Sequence, residues 1–245
     1  MSRIKRSFKI IIAVIFILII YISSSIWLSY NHLTVRTFPY TTSKVSAPLR
    51  IAVLADLHDN TFGEANEKLV DKVMEQSPDL VLLVGDFLNG NSKDDSVPME
   101  FIDSLLKKCE LPMYFAPGNH ELEYQAAGHP DIFEKIKAAG IPVLDENFVD
   151  IKVGGEKLRL GGVYDYAFGS GPVYNEAALA KEEVKEFLYE FQDTDDLKIM
   201  MSHRPDSFIF GDAAKVWDID LVVSGHLHGG QVVIPFLGGL YAGDQ

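Results

Sequence analysis

Cysteine is almost missing from this chain. Cys109 stands alone among 245 residues, so neither an intrachain disulfide nor a thiolate metal cluster can form. The single thiol is expected in the core near a helix end. Positive charge is also scarce. Lys and Arg number 22 against 35 Asp and Glu, and four of the basic residues, Arg3, Lys5, Arg6 and Lys9, fall within a first thirty that contain no acid. The remainder has 18 Lys and Arg against 35 Asp and Glu, a net charge of -17. A surface that acidic repels phosphate backbones and anionic headgroups, which argues against general nucleic-acid binding and against adhesion to lipid through a basic patch. Bound cations would reverse this locally. Internal repeats and low-complexity tracts are absent as well, which leaves one domain with a hydrophobic fraction of 47%, ample for a packed core.

Charge is entirely absent between Ile10 and Leu28, a run interrupted only by Ser23, Ser24 and Ser25. As a helix it would be roughly 28 Å long, close to the hydrocarbon thickness of a bilayer. Two readings are open, an uncleaved transmembrane anchor and a cleaved signal peptide with Ser23 and Ser25 at its processing site. Ile26, Trp27 and Leu28 continue past the serines, which favours the anchor. The basic residues before the run then hold the N-terminus in the cytoplasm and send the rest outside. Residues 31–49 are polar, contain Pro39 and Pro48 and show no sustained period, as a linker would. The expected organisation is an anchor at 1–30, a linker at 31–49 and a catalytic domain at 50–245.

Short apolar runs end repeatedly in polar residues: 50–56, 79–86, 112–118, 157–165, 197–203 and 219–226. Such runs suit strands buried on both faces. Amphipathic stretches at 64–77, 99–108, 131–140 and 175–191 lie between them and read as helices. This alternation predicts an α/β layered domain, with antiparallel pairing where 141–153 and 157–163 lack an intervening helix.

Ligands gather outside the carboxyl ends of strands in such sheets. The residues there are Asp56 and His58, Asp86, Asn119 and His120, His203, and His226 and His228. Oxygen and nitrogen donors of these types suit borderline divalent ions such as Mn, Fe or Zn. Two Asp, one Asn and four of the His make seven donors, which exceed one tetrahedral ion but suffice for two octahedral ions that share a carboxylate and a water. Paired ions of this kind promote in-line attack on phosphorus by acidifying the water and screening the substrate's charge. Asp56 with His58, and His226 with His228, are two residues apart, so each pair would project to one side of an extended segment and chelate together.

DLH (56–58), GD (85–86), GNHE (118–121), SH (202–203) and GHLHGG (225–230) resemble, in order, the five blocks of the calcineurin-like metallophosphoesterases, from about residue 50 to the end. GHLHGGQ followed by PFLGGLYA is similar to the membrane-associated bacterial phosphodiesterase-type branch. The resemblance implies a layered sandwich of two mixed β-sheets flanked by helices, here preceded by one N-terminal transmembrane helix. It implies Asp56, His58 and His228 on one metal, Asn119, His203 and His226 on the other, and Asp86 bridging both. His120 is then the catalytic residue that contacts the phosphate and protonates, or at least stabilises, the leaving oxygen, with Glu121 placed to orient it or its neighbour. Further strands after Gln245 are also implied.

Where the family pattern often has an acid, GDxxD, this chain has GDFLN, so Asn89 departs from it. Asp59 and Asn60 read as turn or capping residues rather than substrate contacts. Asp165 reads equally as a cleft residue or a loop cap, Gly229 and Gly230 as a tight turn, and Gln231 as the start of a strand. His32 and His129 match no block and are expected in solvent. The resulting expectation is a two-metal phosphodiesterase or pyrophosphatase, acting on a lipid or cell-envelope substrate because the anchor holds it near the bilayer. A phosphomonoesterase for small metabolites or phosphoproteins is the alternative enzyme. A tethered scaffold that has lost its metals is the non-enzymatic alternative, which a complete ligand set argues against.

Overall fold

A computed structural model of the chain describes residues 2–164, 168, 176–228, 232–234 and 238–241. The chain divides into two compact units, residues 1–40 and 41–245. The first holds helix α1 (Ser2–Asn31). Within it Ser7–Leu28 forms 22 residues of mean hydropathy 2.7, none of them buried, enough by length and composition to cross a membrane.

The second unit is built on two sheets. In one, β1 (Ile51–Leu54), β2 (Leu80–Val84) and β3 (Met113–Ala116) run parallel in the order β1-β2-β3. In the other, β4 (Asn147–Val153), β5 (Glu156–Gly162), β6 (Leu197–Met201) and β7 (Leu221–Val223) follow in that order. β4 pairs antiparallel to β5, while β5, β6 and β7 are parallel. Gly154 and Gly155 form the two-residue turn between β4 and β5, with φ of 59° and 94°. Positive φ at both positions is what such a hairpin turn needs and what glycine accepts most readily. A third, two-stranded sheet pairs β8 (Val232–Ile234) with β9 (Gly238–Tyr241).

The period-two alternation of β2 decides which layer each face meets. Leu80, Leu82 and Val84 are fully buried in a cluster with Leu158, Leu160, Ile199 and Met201 of the second sheet. Val81 and Leu83 point the other way, into a cluster with Val70 and Val73 of α2 (Glu67–Met74) and Phe101, Ile102 and Leu105 of α3 (Ser96–Lys108). On the far side of the second sheet, Met200 packs with Val184, Leu188 and Phe191 of α6 (Glu182–Gln192). Helices therefore cover both outer faces of a sheet-on-sheet core.

All six strands expected from the apolar runs are present, and so is the antiparallel pair. α4 (Asn119–Ala126) was not anticipated, because its NHELEYQA has little helical periodicity, with only Glu121 and Tyr124 buried. α5 (Ile132–Ala138) lies where a helix was expected, whereas α3 begins at Ser96, three residues earlier than read, with Pro98 tolerated in its first turn. Part of the stretch read as linker is docked. Lys44 Nζ lies 2.8 Å from Asp220 Oδ2, Ser46 Oγ donates to Glu156 at 2.5 Å, and Val45 and Leu49 pack on the inter-sheet cluster. Cys109 is a free, buried thiol just after α3.

Truncating Leu82 to Ala removes a side chain with no exposed surface between the two sheets. The expected cost is about 2–5 kcal/mol, seen as a lower urea midpoint with an unchanged m-value. An unchanged midpoint would contradict this packing.

Candidate metal centre

Seven of the eight candidate residues converge at one rim, and Asn119 directly precedes one of them, because the chain leaves parallel strands of both sheets at their carboxyl ends. Asp56 and His58 follow β1, Asp86 follows β2, Asn119 and His120 follow β3, His203 follows β6, and His226 and His228 follow β7. The ladders extend into these loops: Asp56 N donates to Gly85 O at 3.1 Å, His58 N to Asp86 O at 3.0 Å, and Gly225 N to His203 O at 2.9 Å. Two glycines permit the approach of the loops to one another. A Cβ on Gly85, whose φ is +73°, would lie 2.9 Å from His203 Nδ1 and collide with the Gly118 backbone. A Cβ on Gly225 would lie 2.7 Å from Asp56 Oδ2.

The two-residue spacing works differently from its reading as extended chain. Asp56, His58, Asp86, His226 and His228 have φ between 48° and 66°, in the left-handed region. For residues other than glycine that conformation is strained, on the order of 1–3 kcal/mol each, and persists only where the surroundings enforce it. One enforcing contact is the Asp56 carboxylate, which accepts from His226 N at 2.9 and 3.0 Å. The turn separates His226 from His228. His226 falls in a cluster with Asp86 and His203, and His228 in one with Asp56 and His58. The pair does not act as one chelate.

Two carboxylate oxygens organise the centre. Asp56 Oδ1 has the Nε2 atoms of His58, His203 and His228 at 4.0, 3.9 and 3.8 Å. Asp86 Oδ2 has those of His58, His203 and His120 at 3.8, 2.9 and 4.0 Å. Asp86 Oδ1 accepts from His120 N at 2.9 Å, which turns Oδ2 inward. Glu121, 1% exposed, fixes the surrounding loops. Its carboxylate accepts from the amides of Asp86, Phe87 and Gly118 at 2.8, 2.7 and 2.9 Å, tying the β2 loop to the β3 loop. Burial and the nearby Asp86 charge push its pKa up against those three bonds.

Hydrogen bonds at Nδ1 divide the histidines by role. His203 Nδ1 meets the Val84 carbonyl at 2.7 Å and His58 Nδ1 meets Asn89 Oδ1 at 3.1 Å. Both partners only accept, so Nδ1 carries a hydrogen in each ring and Nε2 is the atom left for a cation, bare in neutral His58 and holding a displaceable second proton in His203. His120 differs: its Nδ1 has the Gly90 N–H, a donor, and Glu123 Oε2, an acceptor three residues on in the same helix, each at 3.1 Å, while its Nε2 faces Asp86 Oδ2.

Burial lowers His58, assisted by His120 and His228. Burial, Arg204 and His203 lower His226 to about 4. Burial alone would lower His203 too, but Asp86 and Asp56 outweigh it and raise its pKa to about 9. His203 in return holds Asp86 below the usual carboxylate range despite desolvation.

A divalent-metal pair fits these residues. Asn119 Oδ1 is buried without a hydrogen-bond partner, an orphaned state that a cation would relieve. The sets Asp56/His58/His228 and Asp86/His203/His226 each converge their donor atoms within 4.8 Å, and a third, His58/Asp86/His120, joins them. The donors are nitrogen and oxygen only, the chemistry of Mn, Fe or Zn sites.

Gly90 and Glu123 escaped sequence reading. A helix beginning at Asn119 would have placed Glu123 beside His120 through the three-residue spacing. Asp59 caps no helix but binds the loop at 89–92. His32 is exposed, as expected, whereas His129 stacks on Tyr124 with centroids 4.0 Å apart. Asp165, Gly229, Gly230 and Gln231 lie outside the described residues.

The profile of the calcineurin-like phosphoesterases matches residues 49–230. YpbG of Bacillus subtilis is 28% identical over 205 residues, covering 82% of this chain and 70% of its own length. The phosphodiesterase YaeI of Escherichia coli is 28% identical over 201 residues, covering 80% and 67%. A transmembrane protein with a metallophosphoesterase domain from Danio rerio is 28% identical over 214 residues, covering 79% and 45%.

A cation must displace the proton that His203 holds below about pH 9. Apparent Mn(II) affinity of the metal-free protein is therefore expected to rise from about pH 7 to 9 and then level, with about one proton released per chain at neutral pH. Calorimetry in buffers of different ionisation enthalpy measures both. A flat affinity over that range would refute the assignment.

Proposed function

Because the chain belongs to the calcineurin-like phosphoesterase family, we propose that it hydrolyses a phosphodiester or pyrophosphate bond at a two-metal centre. Convergence supports this reading: two carboxylate oxygens each have three imidazole nitrogens within 4.0 Å, and the oxygen of Asn119, next to His120 in the chain, is buried without a hydrogen-bond partner. Asp56, His58 and His228 would hold one ion, Asn119, His203 and His226 the other, and Asp86 would bridge them. Bound there, the ions would supply an acidified water and screen the phosphoryl charge.

The chain's own groups then have distinct tasks. His120 presents an Nε2–H toward the centre, where it binds a phosphoryl oxygen and donates its proton to the leaving oxygen. Glu123 Oε2 and the Gly90 amide both stand against Nδ1, which orients the ring, and the carboxylate can accept from Nδ1 when the ring carries a proton to donate. Glu121 keeps Asp86 and the Gly118 turn in register, so that bridging carboxylate and acid remain at one distance. Burial, assisted by the charge of Arg204 directly after His203, keeps His226 neutral and available.

Membrane attachment through α1 fits the Ser7–Leu28 helix, and Arg3, Lys5, Arg6 and Lys9 at its N-terminal end support a catalytic unit outside the cytoplasm. A domain held at the bilayer meets lipid-linked or cell-envelope phosphoesters first. That proximity is the support for such a substrate.

With Mn(II), bis-p-nitrophenyl phosphate is expected to turn over faster than p-nitrophenyl phosphate. The reverse order would favour a phosphomonoesterase, and silence on both by the metal-loaded protein would refute the proposal. His120→Ala should lower turnover by about 10²–10⁴ while leaving bound metal unchanged. Loss of metal from that variant would make His120 a ligand instead.

A further inference from the structure

We propose that Asp59 is a positioning residue for the metal centre, setting through Asn89 which nitrogen of His58 is left bare for a cation. This rests on the two-metal reading above. Asp59 Oδ2 accepts from Asn89 N at 3.1 Å, from Asn89 Nδ2 at 2.9 Å and from Ser92 Oγ at 2.5 Å. Asn89 Nδ2 also donates to the His58 carbonyl at 3.2 Å. With its amide hydrogens committed to these two acceptors, Asn89 has only Oδ1 to offer to His58 Nδ1, 3.1 Å away.

An amide oxygen can only accept, so His58 carries its hydrogen on Nδ1. Nε2 is then a bare lone pair, 3.8 Å from Asp86 Oδ2 and 3.2 Å from His228 Nε2. Turning the Asn89 amide over would bring Nδ2 to His58 and force the hydrogen onto Nε2, where it would block a cation. Asp59 opposes that turn, because it would press Oδ1 against the Asp59 carboxylate and the His58 carbonyl. An acid at position 89 would need no such control, since a carboxylate accepts whichever way it faces. Beside Asp59, however, it would put two negative charges in contact. Amide at 89 and acid at 59 therefore form a matched pair, which gives the departure from GDxxD a physical reason.

The alternative is that Asp59 merely holds the 89–92 loop, and one double variant separates the two. Once Asp59→Ala frees the amide, Asn89→Asp supplies an acceptor with no wrong orientation. The test uses the full-length chain in detergent, stripped of metal and titrated calorimetrically with Mn(II). Asp59→Ala is expected to bind about 10–100-fold more weakly than wild type, and Asp59→Ala/Asn89→Asp to regain most of that loss. Wild-type affinity in Asp59→Ala would overturn the proposal. So would a double variant that binds no better than Asp59→Ala although both melt at the same temperature without metal. Histidine ¹⁵N shifts of the metal-free wild-type protein give a reading that needs no variant to fold: Nδ1–H at His58 supports the proposal and Nε2–H refutes it. Failure of wild-type protein to bind Mn(II) would count against the two-metal reading, while the tautomer measured without metal still decides the role of Asp59.

Discussion

Two nearly buried carboxylates that share the imidazoles of His58 and His203 set the constraint on which this structure depends. Asp56 and Asp86 occupy a place where ionised groups are costly unless compensated. The compensation is a ring of imidazoles, of which His203 lies deepest, with no exposed surface and its pKa lifted to about 9. In a metal-free centre that proton balances part of the negative charge. Divalent cations would do so more completely, and the Asn119 oxygen, buried without a hydrogen-bond partner, adds a further donor for them. Ligand set and fold are therefore coupled through electrostatics.

The same constraint accounts for the unusual backbone of the rim. Five of the eight candidate residues adopt left-handed φ, a conformation that a loop keeps only when its surroundings leave it no alternative. Glu121 gathers three amides from two loops, and the Asp56 carboxylate accepts the His226 amide. Each carboxylate thus spends its hydrogen bonds on backbone, and the backbone in turn aims the imidazoles. Asp86 is the clearest case, with one oxygen held by the His120 amide and the other facing three Nε2 atoms.

Much of this was legible in the residues. Strands buried on both faces leave continuous apolar runs, and β1, β2, β3, β5, β6 and β7 appear where those runs lie. Polar residues ending the runs identified the rim, since a loop that leaves a buried strand has no reason to begin with Asp or His unless the side chain has a partner. Other features were not legible. α4 left little periodic signal, because its first turn serves the site and few of its residues reach the core. The H-x-H pair was read as one chelate because spacing assumes an extended chain, and the left-handed turn sends the two rings to different clusters. His129 looked solvated because nothing local announces Tyr124 as a stacking surface.

The order of donor residues along the chain determined by itself the element type, the family resemblance and the chemical class of the centre, since nitrogen and oxygen ligands are a matter of residue identity. Only the tertiary structure decided how the donors divide into clusters and which histidines present a lone pair rather than an N–H. It also paired Asp59 with Asn89, thirty residues away, and Gly90 with His120. The reason is physical: a tautomer is set by whichever group stands against Nδ1, and that group is brought there by the packing of two sheets rather than by any neighbour in the chain.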